Sequence, residues 1–239
     1  MRSLPLRLLL AGVLSAAVYM LIGALPGTGS LELDASVGYL AGATLMAVLA
    51  WLIAGRPHSV RFLGLAIGLG LAVGLALSWA GLLGMAAPFK IVAAVSAGYL
   101  LALQLDQAWI LLLIAVLALF ADIWSVFAGP TKAVVEKAPG LLDYLLIHFA
   151  GLGSNLPGVA LGMSDLVFLG LFTVGSRTTG LRPRASFAAM LLSLVVTFAV
   201  TMGTRRSLPA LPLLGVAFII ANADLFWARR PRGGSRERA

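Results

Sequence analysis

The 239-residue sequence is 61% hydrophobic and only 11% charged, whereas soluble domains carry about 25% charged residues. Such a chain cannot hide its apolar surface from water, so lipid must be part of its solvent. It contains no cysteine and two histidines, which excludes disulfides, thiolate catalysis, and cysteine or histidine-rich metal sites. The net charge of +8 does not indicate a nucleic-acid partner, because the basic residues fall mostly in loops and the tail, where they set membrane orientation.

Eight apolar segments are predicted to cross the membrane, since a spanning helix needs about 20 mostly apolar residues. They are Leu8–Leu25, Ala35–Ala54, Phe62–Met85, Phe89–Leu105, Ala108–Phe127, Gly158–Gly175, Ala185–Gly203 and Leu208–Trp227. The predicted fold is therefore an all-α, polytopic helix bundle of about eight spans, forming one transmembrane domain over residues 1–239. The first segment is long for a signal peptide, so we expect a retained span.

One predicted connection is long, from Ala128 to Pro157. Within it, Leu141–Phe149 is amphipathic but too short to span, and we expect it to lie at the interface or to pack over the bundle. The third segment carries glycines at the small-xxx-small spacing that favours close helix packing. These glycines are Gly64, Gly68, Gly70 and Gly74.

The positions of lysine and arginine predict the orientation. Eight spans place both termini on one side, together with 12 of the 17 basic residues, and leave 5, Lys90 among them, on the other. Because basic residues concentrate in the cytoplasm, we expect cytoplasmic termini and an external long loop. The short chain with simple loops favours a prokaryotic plasma membrane.

Acids inside a membrane are functional candidates, because charge there is costly. Most of the nine acids fall in loops or the tail, and Asp224 is expected to pair with an arginine at the cytoplasmic interface. Asp122 and Asp165 remain. Asp122 lies about six residues before its segment exits at Ala128, and Asp165 about seven after the next enters at Gly158. At 1.5 Å per residue, both would lie roughly 10 Å below the same surface.

Two carboxyl groups at one depth suit two kinds of function. Like charges held close cannot both ionise, so a pair shares a proton. The ionised member can activate water for attack on a peptide carbonyl, while the neutral member donates to the carbonyl oxygen; this chemistry needs no metal or cofactor. The alternative is a transporter that binds a cation or proton between the acids, although the inverted repeats typical of transporters are not evident.

The residues around these acids resemble the intramembrane aspartyl proteases of the presenilin and signal peptide peptidase family. The first catalytic segment of that family is similar to Ala121–Phe127 with Gly129 and Pro130, and the presenilin continuation is similar to Pro130–Glu136. The second segment, Gly-x-Gly-Asp, is similar to Gly162-Met163-Ser164-Asp165. The Pro-Ala-Leu motif is matched by Pro209-Ala210-Leu211-Pro212. The three motifs occur in the family's order and cover about half of the chain.

The resemblance implies that Asp122 and Asp165 form a catalytic dyad that cleaves transmembrane or signal-peptide-like substrates. It implies that Pro209, Ala210, Leu211 and Pro212 position the substrate, and that Gly162 and Ser164 shape the backbone at the dyad. Residues 106–239 would carry the catalytic helices and residues 1–105 a scaffold. The sequence departs from the family at Ala121, where tyrosine is usual, at Ser164, where glycine is usual, and in its eight spans against nine. A catalytically inactive homologue that binds membrane proteins is the third interpretation.

Overall fold

The structure, a computed structural model, describes residues 4–127, 129, 137, 139–153, 157–204 and 209–228. The described residues form eight long helices, a short helix preceded by a single 3-10 turn, and a two-stranded antiparallel sheet. The elements in chain order are α1 (Leu4–Ala24), α2 (Leu31–Ala54), α3 (Val60–Trp79), α4 (Leu83–Ala102), α5 (Ala108–Phe127), α6 (Leu142–Leu145), β1 (Leu146–Ala150), β2 (Pro157–Gly162), α7 (Met163–Thr178), α8 (Pro183–Thr204) and α9 (Leu211–Ala228).

Six of the described helices are long and apolar enough to cross a membrane, namely α2, α3, α4, α5, α8 and α9. This supports an integral membrane protein with a polytopic helix bundle. Each of the eight predicted segments overlaps a long helix, but α7 has only 16 residues. The polytopic bundle is therefore supported by six helices that are long and apolar enough to span, whereas the count of eight spans stays a prediction.

Local sequence signals explain several helix boundaries. Ser30 and Ser59 precede α2 and α3, and each side chain accepts a backbone N–H of the first turn, which is ordinary N-capping. Gly81 turns the chain between α3 and α4 with a φ of +78°, a conformation that side chains disfavour. The predicted gap between the third and fourth segments, residues 86–88, lies inside α4, which begins at Leu83 and continues through Pro88.

The central helix of the bundle is α4. Inside the protein, 67% of its span is buried, compared with 17% for α3 and for α5. Its contact with α7 is made through two glycines: a Cβ on Gly98 would overlap the carbonyl oxygen of Val167, and a Cβ on Gly170 would lie 2.6 Å from the carbonyl oxygen of Val95. These close approaches fix α7 against the most buried part of the fold.

The predicted glycine seam of α3 is half confirmed. Cβ atoms on Gly70 and Gly74 would press against α4, the first lying 2.7 Å from the carbonyl oxygen of Phe89, whereas those on Gly64 and Gly68 would meet nothing within 4 Å. Only the first two therefore form the packing face that the spacing predicted.

The described residues are mostly helical, as the predicted all-α bundle requires, and the two-stranded sheet is an addition that the prediction did not contain. β1 and β2 form a hairpin whose register pairs Leu146 with Gly162 and Phe149 with Val159. The stretch Leu141–Phe149 packs on the bundle through its strand part, where Ile147 and Phe149 are buried, while Leu142–Leu145 forms the short helix α6. Phe149 stacks on Tyr19 of α1 at 6.4 Å and meets Tyr39 of α2 edge-on at 5.5 Å between ring centroids.

The tip of the hairpin is also fixed. The backbone N–H of Leu152 donates to the carbonyl oxygen of Asp34 at 3.2 Å, in the first turn of α2. The Asp34 carboxylate in turn accepts the backbone N–H and the hydroxyl of Thr28 at 2.8 and 2.9 Å. The hairpin is therefore held to the bundle along its whole described length.

Candidate active site

Asp122 projects from α5, five residues before its end, and is half-buried. Helix α5 packs closely on α9, where Gly215 allows an approach that would bring a Cβ to 3.2 Å from the carbonyl oxygen of Ala115. At the start of α9, the backbone N–H of Leu211 acts as a hydrogen-bond donor to the Asp122 carboxylate. The first and third motifs therefore meet in the structure.

Asp165 lies in the first turn of α7, directly after β2, and only 6% of its surface is exposed. Its Oδ2 accepts the backbone N–H of Gly162 at 3.2 Å. This contact follows from local geometry, because the third residue of a helix can reach back to the N–H of the residue that precedes the first turn. The change from strand to helix at Gly162 thus fixes the position of the carboxylate.

The start of this helix differs from the prediction. The segment Gly158–Gly175 was expected to enter the membrane as a helix at Gly158, seven residues before Asp165. The residues up to Gly162 instead form β2, and the helix begins at Met163. The predicted depth of Asp165 was therefore counted from a wrong helix start. Its proximity to Asp122 does not depend on that start.

The two carboxyl groups interact electrostatically across the space between α5 and α7. Asp122 is near the C-terminal end of its helix, while Asp165 and Leu211 are at the N-terminal ends of theirs. Three chain segments that are distant in sequence therefore meet at one end of the bundle. Each acid also has one backbone N–H donor, from Leu211 or Gly162.

Gly162 and Ser164 both lie near Asp165, but in different ways. A Cβ on Gly162 would lie 3.1 Å from Asp165 Oδ2 and 3.2 Å from Ser164 Oγ, so glycine gives the carboxylate its room. Ser164 is exposed, and within the described residues its hydroxyl makes no hydrogen bond to Asp165. The Ser164 side chain is therefore accommodated beside Asp165 without a hydrogen bond to it.

The Pro-Ala-Leu-Pro run has the geometry expected of a helix entrance. Pro209 and Ala210 lie outside the helix, and α9 starts at Leu211 with Pro212 in its first turn. Ala210 and Leu211 are buried, and the Ala210 carbonyl accepts the N–H of Leu214 at 3.1 Å. The carbonyl groups of this segment begin the helix, while the N–H of Leu211 is available to Asp122.

Two residues near the site were not identified from the sequence. Tyr39 of α2 is buried, donates its hydroxyl to the carbonyl oxygen of Leu194 at 3.0 Å, and lies within electrostatic range of Asp165. Lys90 was counted with the outer basic residues, but it is fully buried in α4. The signal for Lys90 was available, since a lone cation inside an apolar segment is a functional candidate.

The opposite end of the bundle contains the predicted arginine partner of Asp224. Arg182 donates to both carboxylate oxygens of Asp224 at 2.8 and 2.7 Å. Arg177 at the end of α7 donates to the carbonyl oxygen of Ala54 and to the hydroxyl of Tyr99. Arginines are therefore gathered at this end of the bundle.

Some sequence predictions lie outside the described residues. They are the presenilin-like continuation from 130 to 136, Arg205 and Arg206, and the arginine-rich tail from 229 to 239. Among the described residues, no group of three or more His, Asp or Glu side chains is arranged to hold a metal ion.

Comparisons with known proteins add no assignment. No protein-family model matches the chain, and no curated protein matches it.

Proposed function

We propose that the protein is an intramembrane aspartyl protease of the presenilin and signal peptide peptidase type, with Asp122 and Asp165 as its catalytic dyad. The observation that carries the proposal is the meeting of both acids with Leu211 at one end of the bundle. The resemblance linked these three positions through short motifs, and none of them is adjacent in sequence to another.

The environments of the acids suit hydrolysis by a carboxyl pair. Asp165 is buried and Asp122 half-buried, and each is oriented by one backbone N–H. In the proposed reaction, the ionised carboxylate takes a proton from water, and the water oxygen bonds to the peptide carbonyl carbon. The neutral carboxyl group donates to the carbonyl oxygen. The carbon–nitrogen bond then breaks, and the leaving nitrogen takes the proton.

An extended substrate would fit the backbone around the dyad. Among the described residues β2 has β1 as its one strand partner, which leaves its second edge without a strand partner there, and β2 ends at Gly162 beside Asp165. A peptide can add to such an edge through main-chain hydrogen bonds. A transmembrane substrate would unwind locally there, and the non-helical Pro209 and Ala210 would flank it near Asp122.

The proposed setting is a prokaryotic plasma membrane, with the termini in the cytoplasm and the dyad toward the outer end of the bundle. The support is the position of the described arginines: Arg56 lies between α2 and α3, Arg61 lies in the first turn of α3, and Arg177, Arg182 and Arg184 lie around the α7–α8 turn. The site needs no cofactor, and its partners are lipid and transmembrane peptides.

Cleavage of a single-span peptide by purified protein in detergent micelles tests the function. We expect wild type to release two fragments with a defined new terminus by mass spectrometry, and Asp122→Asn and Asp165→Asn to release none. Asp106→Asn is the matched control, because Asp106 is exposed in the α4–α5 turn. Full activity in Asp165→Asn would contradict the proposal.

The two alternatives give different results in parallel assays. A transporter would show proton or cation flux in vesicles that depends on Asp122, with no peptide fragments. An inactive homologue would bind the peptide with equal affinity in wild type and both asparagine variants, would not cleave it, and would not bind a transition-state analogue of peptide hydrolysis. Either pattern would replace the protease assignment.

A further inference from the structure

A buried lysine lies under the base of the hairpin. Lys90 is in the second turn of α4 with 1% of its surface exposed. An ammonium group in such a place is costly unless its N–H donors are satisfied. Its Nζ donates to the carbonyl oxygen of Asp143 at 2.6 Å and to that of Leu146 at 3.0 Å.

These two carbonyls stand where the chain changes from α6 to β1. The carbonyl of Leu142 accepts the N–H of Leu146 within the short helix, whereas that of Asp143 accepts no backbone N–H from the described residues, as is usual at a helix end. Lys90 supplies the missing donor to Asp143 and binds the first residue of the strand. Hydrogen bonds from a charged donor are about twice as strong as neutral ones, so this clamp fixes the position at which β1 starts.

The clamp is linked to the candidate dyad by direct contacts. Lys90 binds Leu146, Leu146 is the cross-strand partner of Gly162, and Gly162 donates its N–H to Asp165. Helix α3 makes room for the lysine, because a Cβ on Gly74 would lie 3.0 Å from Lys90 Cγ. The lysine touches backbone carbonyls and not the carboxyl groups, so its effect on Asp165 passes through the hairpin.

We propose that Lys90 is a positioning residue for Asp165, acting through the base of the β1–β2 hairpin. The expected effect of Lys90 on cleavage rests on the proposed protease function. Its effect on the structure of the hairpin can be tested without any activity. Loss of the ammonium group should free Leu146 and Gly162, and should misplace the carboxylate without removing it.

The first test compares Lys90→Met with wild type and with Lys137→Met, which removes an exposed lysine of the same long connection. Methionine keeps a similar length but has no N–H donor. We expect kcat of Lys90→Met to fall roughly 10- to 100-fold, as for a small displacement of a reacting group, with KM nearly unchanged. Hydrogen exchange in peptides covering Leu146 and Gly162 should become faster, while Lys137→Met should match wild type in both measurements.

A tether provides the rescue. The chain has no cysteine, so cysteines placed at the paired positions Ile147 and Leu161 would form a unique disulfide across the hairpin. In the Lys90→Met background, oxidation should restore most of kcat, and reduction should remove it again. A residue that only stabilised the whole bundle would not be replaced by a bond inside the hairpin.

The outcomes separate the two proposals. Wild-type kcat or unchanged exchange in Lys90→Met would overturn the positioning role, and so would a tether that leaves kcat low. If Lys90→Met fails to fold both with and without the tether, Lys90 stabilises the whole bundle. That result also overturns the positioning role. If wild type cleaves no peptide, the protease function fails, and the exchange comparison alone decides whether Lys90 positions the hairpin.

Discussion

The backbone N–H of Leu211, the first residue of α9, is a hydrogen-bond donor to the carboxylate of Asp122 on α5. A main-chain donor cannot be removed by truncating a side chain. Proline, however, lacks an N–H and is tolerated at the first position of a helix. This position therefore allows the contact to be tested with little damage to α9.

Leu211→Pro is expected to lower kcat for peptide cleavage roughly 10- to 100-fold, because the Asp122 carboxylate loses a group that orients it. Leu211→Ala is the control: it loses a buried side chain but keeps the N–H, and should retain most of kcat. Steady-state kinetics on one single-span peptide checks both variants. Equal losses in the two would show that packing, not the N–H, matters at this position.

The close contact between α4 and α7 predicts that alanine substitutions will have different effects on stability at different glycines. Alanine at Gly98 or Gly170 would collide with the backbone of the facing helix, and overpacking of this kind costs about 1–3 kcal/mol. Alanine at Gly64 or Gly68 meets open space and should be neutral or stabilising, because alanine is the better helix former. Titration with a denaturing detergent measures the free energy of unfolding of the four variants. Similar stabilities in all four would contradict the packing described for α7.

A buried polar network joins α7, α8 and α9 at the arginine-rich end. Asn222 accepts the backbone N–H of Arg182 at 3.0 Å and donates to Ser186 Oγ at 2.7 Å and to the carbonyl oxygen of Phe218 at 3.0 Å. Asn222→Ala should lower the free energy of unfolding by about 1–3 kcal/mol, because buried partners lose their bonds. Asp224→Asn should change it little, since the Arg182 pair is exposed and exposed pairs contribute little.

The stability of the β1–β2 hairpin should depend on pH through the protonation of His148. Burial lowers the pKa of this imidazole, the nearby Lys90 ammonium acts in the same direction, and Asp143, whose carboxylate lies 3.5 Å from Nε2, opposes them. Because the folded pKa is the lower one, the unfolded hairpin binds the proton more readily. The stability contributed by neutral His148 is therefore present above the unfolded pKa and is lost as the pH falls through the folded value.

Hydrogen exchange of β1, corrected for intrinsic rates, should therefore become faster as the pH falls from about 7.5 to about 5.5. His148→Gln should remove most of this dependence. His58→Gln is the matched control, because His58 also has a pKa lowered by burial but lies between α2 and α3, away from the hairpin. A hairpin whose protection is independent of pH in wild type would contradict the role given to His148.

Hydrophobicity predicted the long helices well because lipid requires long apolar runs with internally paired backbones. Segment Ala108–Phe127 coincides with α5, and the others overlap their helices. The predicted helix boundaries differ from the observed ones where the turns between helices are short. Leu82 to Met85 was assigned to the third segment, but Gly81 makes the turn and those residues lead into α4.

The hairpin could not be predicted in the same way. The run from Val159 to Met163 is continuously apolar, and periodicity cannot distinguish a short buried strand from a helix in such a run. What makes β2 a strand is its pairing with β1, and β1 is held by Lys90 and Asp34, which are distant in sequence. The proximity of Asp122 and Asp165 was predictable from consecutive segments, whereas the N–H donors that orient them depend on tertiary contacts.

The most direct test of the central claim is the cleavage rate of Asp122→Asn, Asp165→Asn and the double variant measured beside wild type on one peptide. Residues that act as a unit give strongly non-additive losses. If the two acids are a dyad, each single variant should fall to the same residual rate as the double variant, with the fold intact. A single variant that keeps the wild-type rate, or single losses that multiply in the double variant, would contradict a shared catalytic pair.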